Sequence, residues 1–135
     1  MGIADGDTLT ILDANREQHR IRLAGIDAPE KKQPFGQASK QSLSDLAYDR
    51  DVTVEWHKSD QYGRIIGKVL VSGKDTNLIQ IKKGMAWHYK KYEGEQSVAD
   101  RRAYAAAEDR ARQQRQGLWR EQAPIAPGDW RKESR

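Results

Sequence analysis

Cysteine is absent from the 135 residues, phenylalanine occurs once and histidine three times. Without a thiol the chain can form no disulfide, hold no thiolate-bound zinc and run no cysteine catalysis. His19, His57 and His88 stand apart, without metal-ligand spacing, and read as surface or packing residues. Long apolar runs are missing as well: no stretch nears the roughly 18 residues of a membrane helix, and no unit of ~20 to 50 residues repeats. A chain of this length buries one core rather than two. The opening MGIADGDT shows no charged-then-apolar leader and enters directly on a strand-like run, as a trimmed start would.

Charge is plentiful, and its distribution matters more than its net value of +4. Residues 1–30 hold six acids (Asp5, Asp7, Asp13, Glu17, Asp27, Glu30) against three arginines, a local −3, whereas residues 101–135 hold nine bases against five acids, a local +4. A passive binder of polyanions gains nothing from an acidic knot inside a basic chain unless a cation stands between carboxylate and phosphate. Chance placement of surface charge is the alternative.

The patterning alternates strands and helices. TLTILD and HRIRLAGI read as a hairpin, with Leu9 and Ile11, then Ile21 and Leu23, on one side. Residues 35–49 carry Ala38, Leu43, Leu46 and Ala47 near helical spacing, predicting about three turns. DVTVEWHK and IIGKVLVSGKD, joined by SDQYGR, read as a second hairpin. Asn77 is placed to cap a short helix over LIQIKK that Gly84 ends, and MAWHYKKY leaves it extended. From the Ser97 cap an Ala- and Arg-rich helix runs up to Gly117. Residues 1–120 form the expected domain, and 121–135, with Pro124 and Pro127, an extended or partly disordered tail that Trp119 and Trp130 could pin. The sum is an α+β chain with a small five-stranded barrel of the oligonucleotide-binding (OB-fold) type and about three α-helices.

Three stretches could carry chemistry. IADGDT sets Asp5 and Asp7 around a glycine. It is no EF-hand, because counting from Asp5 places Thr10 and Arg16 where that loop needs Gly and Glu. Whether Asp7 bends the backbone or holds something stays open on this stretch alone. RLAGIDAPE puts Arg22 and Asp27 five apart, on opposite sides of a flat strand, so joint action needs an extra-residue bulge, most simply at Ala24-Gly25. Otherwise Asp27 and Glu30 merely flank a turn. DQYGR is by itself an ordinary hairpin turn.

In order, DGDT, IRLAGIDAPE, DQYGR, KKGMAW and GLW resemble the thermonuclease family, the staphylococcal-nuclease-like calcium-dependent nucleases, over nearly the whole chain. The resemblance implies an OB-type five-stranded barrel with three helices, Ca²⁺ as cofactor, and DNA and RNA hydrolysed with little sequence preference by a metal-activated water. It further implies a monomer with no membrane partner and a secreted or periplasmic location. Position by position it makes Asp7 and Asp27 the calcium-ligating carboxylates, Ala28 a backbone-carbonyl ligand, Glu30 the general base, and Arg22 and Arg64 the phosphate-binding arginines. Tyr62 falls in the nucleotide pocket. Tyr62, Tyr89 and Tyr92, between Lys90 and Lys91, would form an aromatic floor for bases; the alternative is that Tyr89 or Tyr92 packs against the long helix.

The chain departs from the family where Ala28 replaces a common threonine, where Gln61 replaces a lysine, in the shorter run from Glu30 to Gly36, and in a first barrel strand that reads as clipped. Two other readings compete: a non-catalytic nucleic-acid-binding barrel, against which the five retained charged residues argue, and a small calcium-stabilised interaction module, in which the arginines would serve nothing.

Overall fold

The computed structural model describes residues 2–133. Strands β1 (Gly2–Asp5), β2 (Thr8–Leu12) and β3 (Gln18–Leu23) form an antiparallel meander in which Ile3, Leu9 and Ile21 lie side by side. Leu9 and Ile21 are fully buried, which fixes the register, since a one-residue slip would turn both to solvent. The short strand β4 (Ile26–Asp27) follows a turn at Ala24-Gly25. Strands β5 (Thr53–Ser59) and β6 (Ile65–Val71) make the second hairpin, and β6 runs parallel to β3, pairing Ile21 with Ile65 and Leu23 with Gly67. The sheet order is therefore β1-β2-β3-β6-β5, with β7 (Lys74–Asp75) added on β6. Strand β8 (Trp87–His88) pairs with β4 in a separate ladder.

Helix α1 (Gly36–Ala47) buries Gly36, Ser39, Leu43 and Ala47, a stripe at helical spacing. Helix α2 (Thr76–Lys82) departs from the expected cap. The Asp75 side chain, not Asn77, accepts from the Leu78 amide, because Asn77 already lies within the helix and is wholly buried. Helix α3 (Val98–Gln113) starts at Ser97 as expected but ends four residues short of Gly117. MAWHYKKY is extended only across β8 and then tightens into a 3-10 turn at Lys90–Glu95.

The last segment is not simply extended. Trp119 packs edge-on against Trp87, ring centroids 4.6 Å apart, with the Arg112 guanidinium against both rings. Beyond it, Pro127–Glu133 forms helix α4, with proline at the first helical position, where its missing N–H costs nothing. The architecture is the mixed α+β, OB-like arrangement expected. No helix among the described residues is long and apolar enough to cross a membrane.

Candidate active site

The β1–β2 turn divides labour between its two aspartates. Asp5 bends the backbone, its Oδ1 accepting from the Asp7 amide at 3.2 Å. Asp7 points inward and is buried; its Oδ2 accepts from the Ala28 amide at 2.8 Å and its Oδ1 from the Thr8 hydroxyl at 2.9 Å. Gly6 is required between them, since a Cβ there would lie 1.8 Å from Ser39 Oγ of α1.

Arg22 and Asp27 do meet, by a turn rather than a bulge. Gly25 adopts φ +79°, a left-handed conformation that favours glycine, and brings the chain back so that Arg22 reaches round it. Arg22 Nη1 donates to the Leu23 and Ile26 carbonyls, each at 2.9 Å, and Nη2 donates to Asp27 Oδ1 at 3.2 Å and lies 3.4 Å from Asp7 Oδ2. Its guanidinium thus stands between the two aspartates.

Two amides one turn apart on α2 hold both turns in place. Asn77 donates to the Ala24 carbonyl at 2.9 Å and the Gly67 carbonyl at 3.1 Å while accepting from the Val69 amide. Gln80 donates to the carbonyls of Gly6 at 2.9 Å and Ser39 at 3.1 Å and accepts from the Ser42 hydroxyl. Both are wholly buried.

Glu30 follows Pro29 on a loop folded by consecutive turns, Gln33 N to Glu30 O and Gly36 N to Gln33 O. The Gln33 side chain accepts from the Glu30 amide and donates to the Ile125 carbonyl. That second bond draws the tail across the site. Arg131 of α4 then pairs with Glu30 Oε1 and, at 3.3 Å, with Asp27 Oδ2. No sequence motif marked Arg131; the one signal for it is the basic excess after residue 100.

The electrostatics are those of a crowded acidic site. Four carboxylates face two guanidinium groups, leaving two negative charges if all ionise. Burial, then the hydrogen bond and charge of Asp7, push Asp5 up to about 7. Burial raises Asp27 to about 6 despite Arg22 and Arg131. For Asp7, burial pushes upward, but Arg22 together with the Asp5, Ala28 and Thr8 hydrogen bonds holds its carboxyl below the ordinary range.

The remaining residues form two other groups. Arg64 donates Nε–H to Asp60 Oδ2 at 2.7 Å and lies 5.7 Å from the ring centre of Tyr62, which is 64% exposed. Burial opposes ionisation of Asp60, but its bonds from the Arg64 amide and guanidinium keep its carboxyl low. Arg64 makes no contact with the carboxylates around Arg22. Tyr89 lies beside Arg22, its ring centre 5.8 Å from the guanidinium carbon, and edge-on to Tyr92. Lys91 lies over Tyr92, whereas Lys90 is turned away onto the buried Glu108 at 2.7 Å.

An OB-like sheet thus brings its turns together on buried carboxylates bridged by arginine. The family model described as "Staphylococcal nuclease homologue" matches residues 20–121, and the chain belongs to that family. It is 41% identical over 133 residues to an "Uncharacterized endonuclease" of Haemophilus influenzae, covering 98% of this chain and 71% of the relative. It is 38% identical over 130 residues to an "Uncharacterized endonuclease" of Escherichia coli, covering 96% and 80%. A "Micrococcal nuclease" of Shigella flexneri is 40% identical over 142 residues, covering 98% and 79%. These relatives support a nuclease function.

Proposed function

We propose that the chain is a calcium-dependent nuclease that hydrolyses phosphodiesters of DNA and RNA with little sequence preference. The observation that carries this reading is the meeting of Asp7, Asp27 and Arg22 at the Gly25 turn, with Glu30 three residues on. The donor set fits a hard divalent cation: it is all oxygen, it carries surplus negative charge, and it contains no thiolate. Asp7, Asp27 and the Ala28 carbonyl are the groups that would hold Ca²⁺. When bound, Ca²⁺ would neutralise the phosphate and favour ionisation of the attacking water.

The protein's own groups do the rest. Glu30 accepts the proton of the water as its oxygen bonds to phosphorus, a role worth ~10² to 10⁴ in rate. Arg22 presents a planar, permanently charged fork to the phosphate oxygens on which charge grows as the P–O bond to the leaving alkoxide breaks. Arg64 engages Asp60 through Nε, so its two terminal nitrogens remain to meet a phosphate further along the strand.

Digestion of plasmid DNA and of RNA with Ca²⁺, with Mg²⁺ alone, and with chelator tests the reading. Ca²⁺ is expected to support cleavage, chelator to abolish it, and Mg²⁺ to support little, because Mg²⁺ demands tighter octahedral geometry and sheds water reluctantly. Normal oligonucleotide binding with no cleavage under any condition would instead favour a non-catalytic binding module.

A further inference from the structure

The family match ends at residue 121, yet the next elements run back to the heart of the site. The Ile125 carbonyl is anchored by Gln33, Pro127 is buried, and α4 lays Arg131 across Asp27 and Glu30. Its two terminal nitrogens take one oxygen from an aspartate assigned to the cation and one from the assigned base. A charge-assisted bond from Arg131 to one Glu30 oxygen stabilises the ionised carboxylate and makes it a weaker proton acceptor, and Asp27 Oδ2 is turned to the same guanidinium. Among the described residues, no three carboxylates of this site bring oxygens within 4.8 Å of one another; the guanidinium groups stand among them. One of the two must leave before a cation can draw the carboxylates together.

Arg22 is not the one built to leave. Its side chain is 13% exposed and wraps two backbone carbonyls. Arg131 is 41% exposed, on a helix of seven residues, well below the roughly 12 to 15 at which a helix persists alone. Among the described residues, α4 packs extensively on no other helix or strand. A hollow of about 620 Å³ opens between it and Trp87, lined also by Pro124, Ile125, Asp129 and Lys132. Arginine stays protonated at any working pH, so Arg131 cannot go by losing its charge; it can go only by moving.

We propose that α4 is a latch: in the cation-free protein Arg131 holds both Asp27 and Glu30, and Ca²⁺ binding that claims Asp27 displaces it, releasing α4 and freeing the base. This rests on the calcium reading above. Cation and arginine then compete for Asp27, and the apparent Ca²⁺ affinity is reduced by the fraction of molecules that are latched.

The test is a Ca²⁺ titration of the isotope-labelled full chain without nucleic acid, followed by NMR. The Asp7 and Ala28 amides report the site, and those of residues 128–133 report α4. In the wild type both sets should move with one midpoint, the α4 amides towards unstructured values. In Arg131→Gln the α4 amides should begin there, and the midpoint should fall about three- to tenfold. Arg131→Lys, which keeps the charge and loses the fork, should lie between. Site amides that move while α4 stays docked in the wild type, a result that needs no variant, overturn the latch. So does an unchanged or weakened Ca²⁺ midpoint in Arg131→Gln. If Ca²⁺ moves no amide in either chain, the calcium reading fails and the latch falls with it, whereas equal binding overturns the latch alone.

Discussion

Two arginines reach Asp27 from opposite sides at nearly equal distances, Arg22 to Oδ1 at 3.2 Å and Arg131 to Oδ2 at 3.3 Å. Chemically the contacts are alike. They differ in what must be lost to break them. Releasing Arg22 strips donors from two backbone carbonyls and leaves the buried Asp7 without its counterion, whereas releasing Arg131 undocks one short, half-exposed helix. The lesson is that an ion pair's role follows less from its geometry than from the structure behind each partner: one arginine belongs to the fold, and the other is laid upon it.

The largest effect that bears on this contrast comes from the carboxylate both regions converge on. Glu30→Gln keeps the shape of the loop and still lets Arg131 donate to the side-chain oxygen, but it removes the proton acceptor. Hydrolysis at saturating substrate should fall by roughly 10² or more, while oligonucleotide affinity measured by anisotropy with Ca²⁺ present should hold or rise slightly, since phosphate contacts dominate it. A variant that hydrolyses at the wild-type rate would remove Glu30 as the base.

Substituting the built-in arginine sharpens the contrast directly. Arg22→Lys cannot serve the Leu23 and Ile26 carbonyls and both aspartates from one point charge. It should lose on the order of 10² in kcat and about 2 to 3 kcal/mol of stability, read by denaturant unfolding. Arg131→Lys should leave the unfolding midpoint within error. Equal destabilisation by the two lysines would mean that α4 is as much a part of the fold as β3.

Much of this was legible in the sequence, and the pattern of success is physical. Both hairpins and α1 follow from alternation and helical spacing, because burial of Leu9, Ile21, Leu43 and Ala47 enforces those periods. Asp7, Arg22, Asp27 and Glu30 come from two short motifs, and local turns alone carry them together. What the sequence hid was non-local. The joining of Arg22 to Asp27 looked like a bulge, because one left-handed glycine can end a strand as readily as kink it. Asn77 looked like a cap, because Asn favours caps; its bonds to Ala24 and Gly67 depend on where β3 and β6 lie. The tail looked extended because Pro124 and Pro127 interrupt it, although proline is also a good first residue for a helix such as α4.

That hidden network gives a prediction of intermediate size. Asn77→Ala removes three hydrogen bonds, stripping its partner from the Ala24 carbonyl and the Val69 amide and leaving the Gly67 carbonyl to the Ala24 amide alone, which should cost about 2 to 4 kcal/mol. The loss should be global, with the residual enzyme keeping its Ca²⁺ requirement, because Asn77 touches no reacting group. If stability is untouched and only kcat falls, α2 does not clamp the Ala24 turn as described.

The smallest effect distinguishes the two aromatic groups. Tyr62 is largely exposed, with the Arg64 guanidinium beside its ring, so one face is open to a base. Tyr89 is already engaged by Arg22 on one side and Tyr92 on the other, and its backbone amide donates to the Gly25 carbonyl at 2.8 Å. Stacking one base contributes ~1 to 3 kcal/mol, and the lower end applies where the ring has no second wall. Tyr62→Ala should therefore raise KM for a single-stranded oligonucleotide by roughly five- to tenfold, with kcat and the unfolding midpoint unchanged. Tyr89→Ala should act chiefly on kcat, because a ring that supports Arg22 affects how the guanidinium is held more than how the strand is gripped. Kinetics of both variants on the same oligonucleotide decide the matter: matching KM increases would place the two tyrosines on one continuous floor, whereas a KM effect from Tyr62 and a kcat effect from Tyr89 would keep them in separate roles.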